Sequence, residues 1–102
     1  MSARYILASA AEQDREGIFA YTYRRSGSIE IARRVDRKLK EEFKRIGRTP
    51  TIGHTRADLD IPENFLVRSV YSYLVIYDPQ TPPVQILRIW HGAQEKPEIP
   101  DS

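Results

Sequence analysis

Cysteine is absent from the 102 residues, which removes disulfides, thiol nucleophiles and thiolate metal sites. Histidine is scarce. His54 and His91 are too few for a zinc site unless carboxylates complete it. No apolar run approaches the roughly 18 residues a membrane-spanning helix requires. The opening stretch MSARYILASA lacks the long apolar centre of a secretory leader. Both absences point to a cytoplasmic protein with no membrane partner. There is no phosphate-binding glycine loop, dinucleotide fingerprint, paired-carboxylate motif or nucleophile elbow. No cofactor and no metal are therefore expected.

What is present suits a single domain spanning residues 1–102, with one two-layer core. The net charge of +2 hides an uneven distribution. Ten of the 16 Lys and Arg lie between Arg24 and Arg48 with four acids (Glu30, Asp36, Glu41, Glu42), so this segment carries +6 and the remainder −4. A localised basic segment suits an acidic partner, either nucleic acid or an acidic protein segment. It also suits a solvated helix face laced with i,i+4 ion pairs such as Glu30–Arg34 and Glu41–Arg45.

RYIL (Arg4 to Leu7) is a short strand candidate. Ser9 and Glu12 then stand at the spacing of a capping box, opening a helix to about Arg25 with Ala11, Ile18, Tyr21 and Thr22 near one face. Gly17 weakens that helix by roughly 1 kcal/mol relative to Ala. After the break at SGS (26–28), a second helix is predicted from Ile29 to Ile46. Its apolar stripe is Ala32, Val35, Leu39, Phe43 and Ile46, with Arg33, Arg37, Lys40, Lys44 and Arg48 on one flank. Gly47 is a candidate C-cap, and Pro50 prevents continuation. TPTIGHTRADLDIPEN reads as an irregular loop in which Arg56 and Asp58 can pair. Three strands follow, FLVRSV (65–70), YLVIYD (73–78) and VQILRIWH (84–91), as an antiparallel meander. The middle strand is apolar on both faces, and residues 94–102 form an extended tail. The fold class is α+β: an N-terminal strand and an antiparallel helical hairpin packed in two layers on an antiparallel β-sheet.

Arg88 and His91 are the candidates for chemistry. A guanidinium can hold a phosphate, and an imidazole can act as acid or base if a proton lies within reach. Strict alternation sends Ile86, Arg88 and Trp90 to one face and Leu87, Ile89 and His91 to the other. A shared pocket would then require a bulge. Trp90, Tyr71, Tyr73 and Tyr77 could stack on bases or serve as core and rim.

Over residues 4–95 the chain resembles the ParE/RelE superfamily of plasmid-stabilisation toxins from type II toxin–antitoxin systems. The resemblance rests on SAAEQD, Ile18 and Tyr21, Ala32, TPTIGHTRADL, YLVIYD and ILRIWHGAQE. Its most specific parts are the Pro-x-x-Gly loop and the strand ending in His-Gly-Ala. It implies a RelE/ParE-like fold and a cognate antitoxin. That antitoxin would lay an acidic segment over the toxin and bind DNA through a ribbon-helix-helix domain, so that DNA contact by the toxin is indirect.

RelE-like members are ribosome-dependent mRNA endonucleases, whereas ParE-like toxins act on DNA gyrase. The nuclease branch relies on several basic residues on the sheet and an acid–base group near the C-terminus. Here the meander strands carry only Arg68 and Arg88, and no tyrosine follows His91, which favours the ParE-like branch. Three departures from that branch remove positive charge from the sheet side: HGAQE for His-Gly-Ala-Arg-Asp, Leu66 for an arginine, and Asp78 for a basic residue. The expected partner-binding residues are Arg33, Arg37, Lys40, Lys44, Arg68, Trp90 and His91. The alternatives are an mRNA endonuclease using Arg88 and His91, and a non-toxic member retaining only antitoxin binding.

Overall fold

In the computed structural model, which describes residues 4–80 and 82–91, β1 (Tyr5–Leu7) leads directly into α1 (Ser9–Ser26) and α2 (Ile29–Arg48). Two short 3-10 turns, Pro50–Ile52 and Ala57–Leu59, precede β2 (Leu66–Val70), β3 (Tyr73–Asp78) and β4 (Val84–His91). The expected 94–102 tail lies outside the described residues.

The capping box does not form. Ala8 is the N-cap of α1, with no side-chain capping bond. The Ala8 N–H is tied to the Ile86 carbonyl at 2.9 Å, which starts the helix one residue earlier than a Ser9 cap requires. Ser9 becomes the first helical residue, and Glu12 instead accepts from Arg15 at 3.2 Å. At the other end Gly27 adopts φ 69° and donates its N–H to the Tyr23 carbonyl, a left-handed cap that glycine takes without steric cost. Ser28 Oγ then accepts from the Ile31 N–H and starts α2, as Ser does at N-caps.

Gly47 is not a C-cap. It is a buried residue within α2, which ends on Thr49. A Cβ on Gly47 would lie 3.0 Å from Arg4 Cβ and 3.1 Å from its carbonyl carbon. Glycine here lets the end of α2 pass close to the chain entering β1. The i,i+4 ion pairs also differ from expectation. Glu41 pairs with Lys38 and Arg45 with Glu42, and Glu30 makes no ion pair with Arg34 among the described residues. A clamp between the helices forms instead, with Arg15 donating to both Asp36 carboxylate oxygens at 2.8 and 3.2 Å.

The sheet runs in the order β1-β4-β3-β2. β2, β3 and β4 form the antiparallel meander, while β1 pairs in parallel with β4, so the sheet is mixed. One face meets the hairpin through Ala11, Leu39, Phe43 and Ile46 against Tyr73, Val75, Tyr77, Ile86 and Ile89. The opposite face is also covered. Leu59 and Phe65 from the 57–65 segment pack on Val67, Ile76, Leu87 and Trp90. β3 is therefore apolar on both sides because both sides are buried.

Candidate functional site

β1 is only three residues long, and its pairing with β4 stops at Leu7↔Ile86. Beyond Ile86 the outer edge of β4 needs another acceptor for its backbone N–H groups. α1 crosses this edge and supplies one from a side chain. Asp14 Oδ2 accepts the Ile89 N–H at 2.9 Å. The same carboxylate takes a bidentate pair from Arg88, Nε to Oδ2 at 2.7 Å and Nη2 to Oδ1 at 3.0 Å. Both side chains are largely shielded, with 24% and 17% of their surface exposed for Arg88 and Asp14. Charge-assisted forks of this kind are strong and orienting.

A register shift sits at this point. Tyr77 pairs with Ile86 but Ile76 with Arg88, leaving Leu87 as an extra residue. The bulge corrects the strict alternation read from the sequence. Ile86 and Ile89 share the helix-facing core, and Leu87 and Trp90 share the opposite one. Arg88 pairs with Ile76 of that opposite cluster, whereas His91 pairs with Tyr73 on the hairpin side. The two therefore still alternate, and the Arg88 guanidinium reaches Asp14 at the strand edge.

His91 ends β4 half-buried, its ring edge-on to Tyr73 with centroids 5.1 Å apart. Both line an open cleft of ≈ 490 Å³ between α1 and the sheet, together with Asp14, Gly17, Tyr21, Arg24 and Ile89. A Cβ on Gly17 would meet nothing within 4 Å. The residue that costs α1 stability leaves the cleft wall without a side chain.

The seven expected partner-binding residues fall in separate places. Arg33, Arg37, Lys40 and Lys44 are exposed along α2. Arg68 is half-buried and donates to Glu42 at 2.8 Å, neutralising the one buried charged residue among those described. Trp90 is 8% exposed and lies in the core beneath the 57–65 segment. Only His91 borders the cleft. The aromatic platform is not assembled either: Tyr73 and Tyr77 face the hairpin, Trp90 faces away, and Tyr71 is exposed. Among the described residues no group of three or more His, Asp or Glu is placed to hold a metal, and no helix is long and apolar enough to cross a membrane.

The sequence matches the family model for the ParE toxin of type II toxin–antitoxin systems, parDE, over residues 5–96. The chain belongs to the ParE toxin family. Among solved structures it is similar to the chromosomal ParDE toxin–antitoxin system from P. aeruginosa, with a TM-score of 0.72 and 18% identity. That match covers 85% of this chain and 92% of the other, and at such identity the likeness is one of fold. No curated protein sequence matches the chain closely.

The Pro-x-x-Gly loop that marks the ParE resemblance has a structural cause in this chain. The Tyr77 hydroxyl donates to the Pro50 carbonyl at 2.6 Å and accepts the Gly53 N–H at 2.9 Å. A Cβ on Gly53 would stand 2.6 Å from that oxygen, so any larger residue would displace the phenol. Burial pushes the Tyr77 hydroxyl above its ordinary pKa, opposed by the bond from Gly53. His54 then exchanges backbone bonds of 3.0 and 2.8 Å with Val67, which seats the loop along β2. Arg56 and Asp58 pair as expected, at 2.9 and 2.8 Å.

Sequence reasoning missed Asp14, Gly17 and Glu42 as determinants of these surfaces. Asp14 stands within the SAAEQD stretch, but its task depends on how short β1 is, and nothing local to Asp14 encodes that.

Proposed function

We propose that this ParE-family toxin acts by binding and inhibiting DNA gyrase, rather than by cleaving RNA, and that a cognate antitoxin neutralises it. The observation that carries the choice is the Arg88–Asp14 fork at 2.7 and 3.0 Å. An RNA-cleaving site needs cationic clamps aimed at the scissile phosphate, beside a base and a proton donor. In this chain the arginine three residues before His91 is held by a carboxylate that also fixes the backbone of β4. A second anion at that guanidinium would have to share its charge with this carboxylate. Arg68, the other strand arginine, is engaged by Glu42.

The antitoxin would order an acidic, amphipathic segment as it binds. The cleft offers that segment apolar contacts at Ile18, Tyr21, Tyr73 and Ile89 beside Arg24. Tyr21, Tyr23, Ile29 and Ile31, all exposed near the tip of the hairpin, extend the apolar surface. Binding there is the helix-in-groove mode.

Induction without antitoxin tests the choice. Binding to gyrase gives filamentation and DNA-damage signalling while protein synthesis continues. Arg88→Ala and His91→Ala then keep most of the toxicity of the parent in proportion to their folded yield. Prompt loss of protein synthesis, abolished by these substitutions in soluble, folded protein, would instead establish the endonuclease. Harmless overexpression of folded protein that still binds its antitoxin would identify a non-toxic family member.

A further inference from the structure

The ion pairs of this molecule are unevenly placed. Arg15, Arg68 and Arg88, the half-buried arginines of the hairpin and sheet, each hold an acid at 2.7–2.8 Å. Along the exposed flank of α2 the pattern reverses. Arg33, Arg37, Lys44 and Arg48 make no ion pair among the described residues. Lys40 makes only a 3.8 Å contact with Asp36, whose carboxylate already holds Arg15. At 3.6 residues per turn, positions 33, 37, 40, 44 and 48 fall within about 80° of one another, and at 1.5 Å per residue they span about 22 Å. Arg4, Arg24, Arg25 and Arg34 are likewise exposed without an ion pair among the described residues, but they lie off this line, and the five α2 cations form one straight row.

The row also lacks what a protein segment would need. No large apolar side chain is exposed between Arg33 and Arg48. An amphipathic peptide laid there would bury nothing with its apolar face and would gain only exposed ion pairs of small individual worth. A polyanion binds by a different route. Duplex DNA carries one phosphate per 3.4 Å of each strand, and cations that neutralise phosphates release condensed counterions without requiring apolar contact.

We propose that the Arg33–Arg37–Lys40–Lys44–Arg48 row of α2 is a direct binding surface for the phosphate backbone of duplex DNA. The surface is not specific for base sequence, because it holds no side chain arranged for base readout, and phosphate contacts position a protein without specifying a sequence. Its length matches about six phosphates of one strand. It is separate from the cleft beside His91, so the toxin can touch DNA itself, whether or not an antitoxin also contacts it. The inference does not depend on gyrase being the target.

Fluorescence anisotropy of the full-length toxin with a labelled mixed-sequence duplex, between about 50 and 200 mM salt, tests the surface. Five neutralised phosphates give a log–log salt slope near −4.5, and the combined variant Arg33→Gln/Arg37→Gln/Lys44→Gln flattens it to about −1.8. The affinity of that variant at the lowest salt falls roughly tenfold or more. Arg4→Gln/Arg24→Gln/Arg25→Gln removes equal charge from exposed positions outside α2, and its slope stays within about one of the parent. Circular dichroism confirms that both variants are folded; all six positions are exposed. Three results would overturn the proposal: no binding by the parent at low salt, equal loss in the two variants, or displacement of the duplex by a poly-glutamate peptide of matched charge as readily as by unlabelled duplex. The last would make the row a site for an acidic protein.

Discussion

The Tyr77 hydroxyl joins β3 to a loop more than twenty positions away in sequence, bonding both Pro50 and Gly53. The ring is fully buried, so removing the oxygen leaves the Gly53 N–H and the Pro50 carbonyl short of a partner. Tyr77→Phe should therefore lower unfolding stability by about 1–3 kcal/mol in chemical denaturation. Gly53→Ala should do comparable damage by about 1–3 kcal/mol through overpacking, because its new Cβ would stand 2.6 Å from the Tyr77 oxygen and 3.0 Å from Leu66 Cβ. The raised pKa of Tyr77 sets the sign of a pH effect. In the unfolded chain the phenol ionises near its ordinary value of about 10, while in the fold it stays protonated to higher pH. Its contribution is fully present below about pH 10 and is lost as pH rises through the folded value. A pH series of denaturant melts should show that decline for the parent and a shallower one for Tyr77→Phe.

At the level of elements, a side chain completes a strand edge. Asp14 serves three donors on β4, the Ile89 N–H and two nitrogens of Arg88. Asp14→Asn keeps the shape but removes the charge. Since hydrogen bonds to charged groups contribute about 1.5–3 kcal/mol each, a loss of roughly that size is expected, together with faster hydrogen exchange at Ile89. Unchanged exchange at Ile89 would show that the carboxylate does not hold the strand.

Gly17 offers the opposite experiment. A leucine there gains about 0.8 kcal/mol of helix propensity and projects into open space. Gly17→Leu should raise or preserve the melting temperature while weakening antitoxin binding at least tenfold, about 1.4 kcal/mol, as titration calorimetry would measure. Undiminished affinity would remove the cleft from the antitoxin interface.

These elements also show where a sequence is informative. β3 and β4 have the bounds read from it, Tyr73–Asp78 and Val84–His91, because apolar, β-branched runs end at turn residues. The hairpin was legible from the spacing of Ala32, Leu39, Phe43 and Ile46. The bulge at Leu87 was not, because a bulge is a property of two strands in register, and one strand's pattern records it only as a broken alternation. The Ser9 cap and the Gly47 cap failed for one reason. β1 and its flanking residues pack against both helix ends, through Ala8 to Ile86 and Arg4 to Gly47, and tertiary contacts overrode the local signals. The partner-binding residues were the least legible, since Trp90 and α2 lie on opposite sides of the sheet.

At the scale of the whole molecule, the fold sorts its charge. Arginines that reach the sheet or the space between helices are matched with Glu42, Asp14 or Asp36, and α2 keeps its unpaired cations outward. Apolar exposure collects elsewhere, at Tyr21, Tyr23, Ile29 and Ile31. The fold thus offers a mixed polar and apolar cleft beside His91 and a separate cationic row, with Arg88 committed to holding β4 in place. Such a molecule is equipped to bind, and the proposed inhibition of gyrase rests on binding. The most direct measurement places purified toxin, freed of antitoxin, in a gyrase supercoiling reaction and in a cell-free translation reaction at the same concentrations. The expected result is loss of supercoiling with protein synthesis intact, reversed by adding antitoxin. Arrested translation with cleaved mRNA and undisturbed supercoiling would instead make the protein an endonuclease.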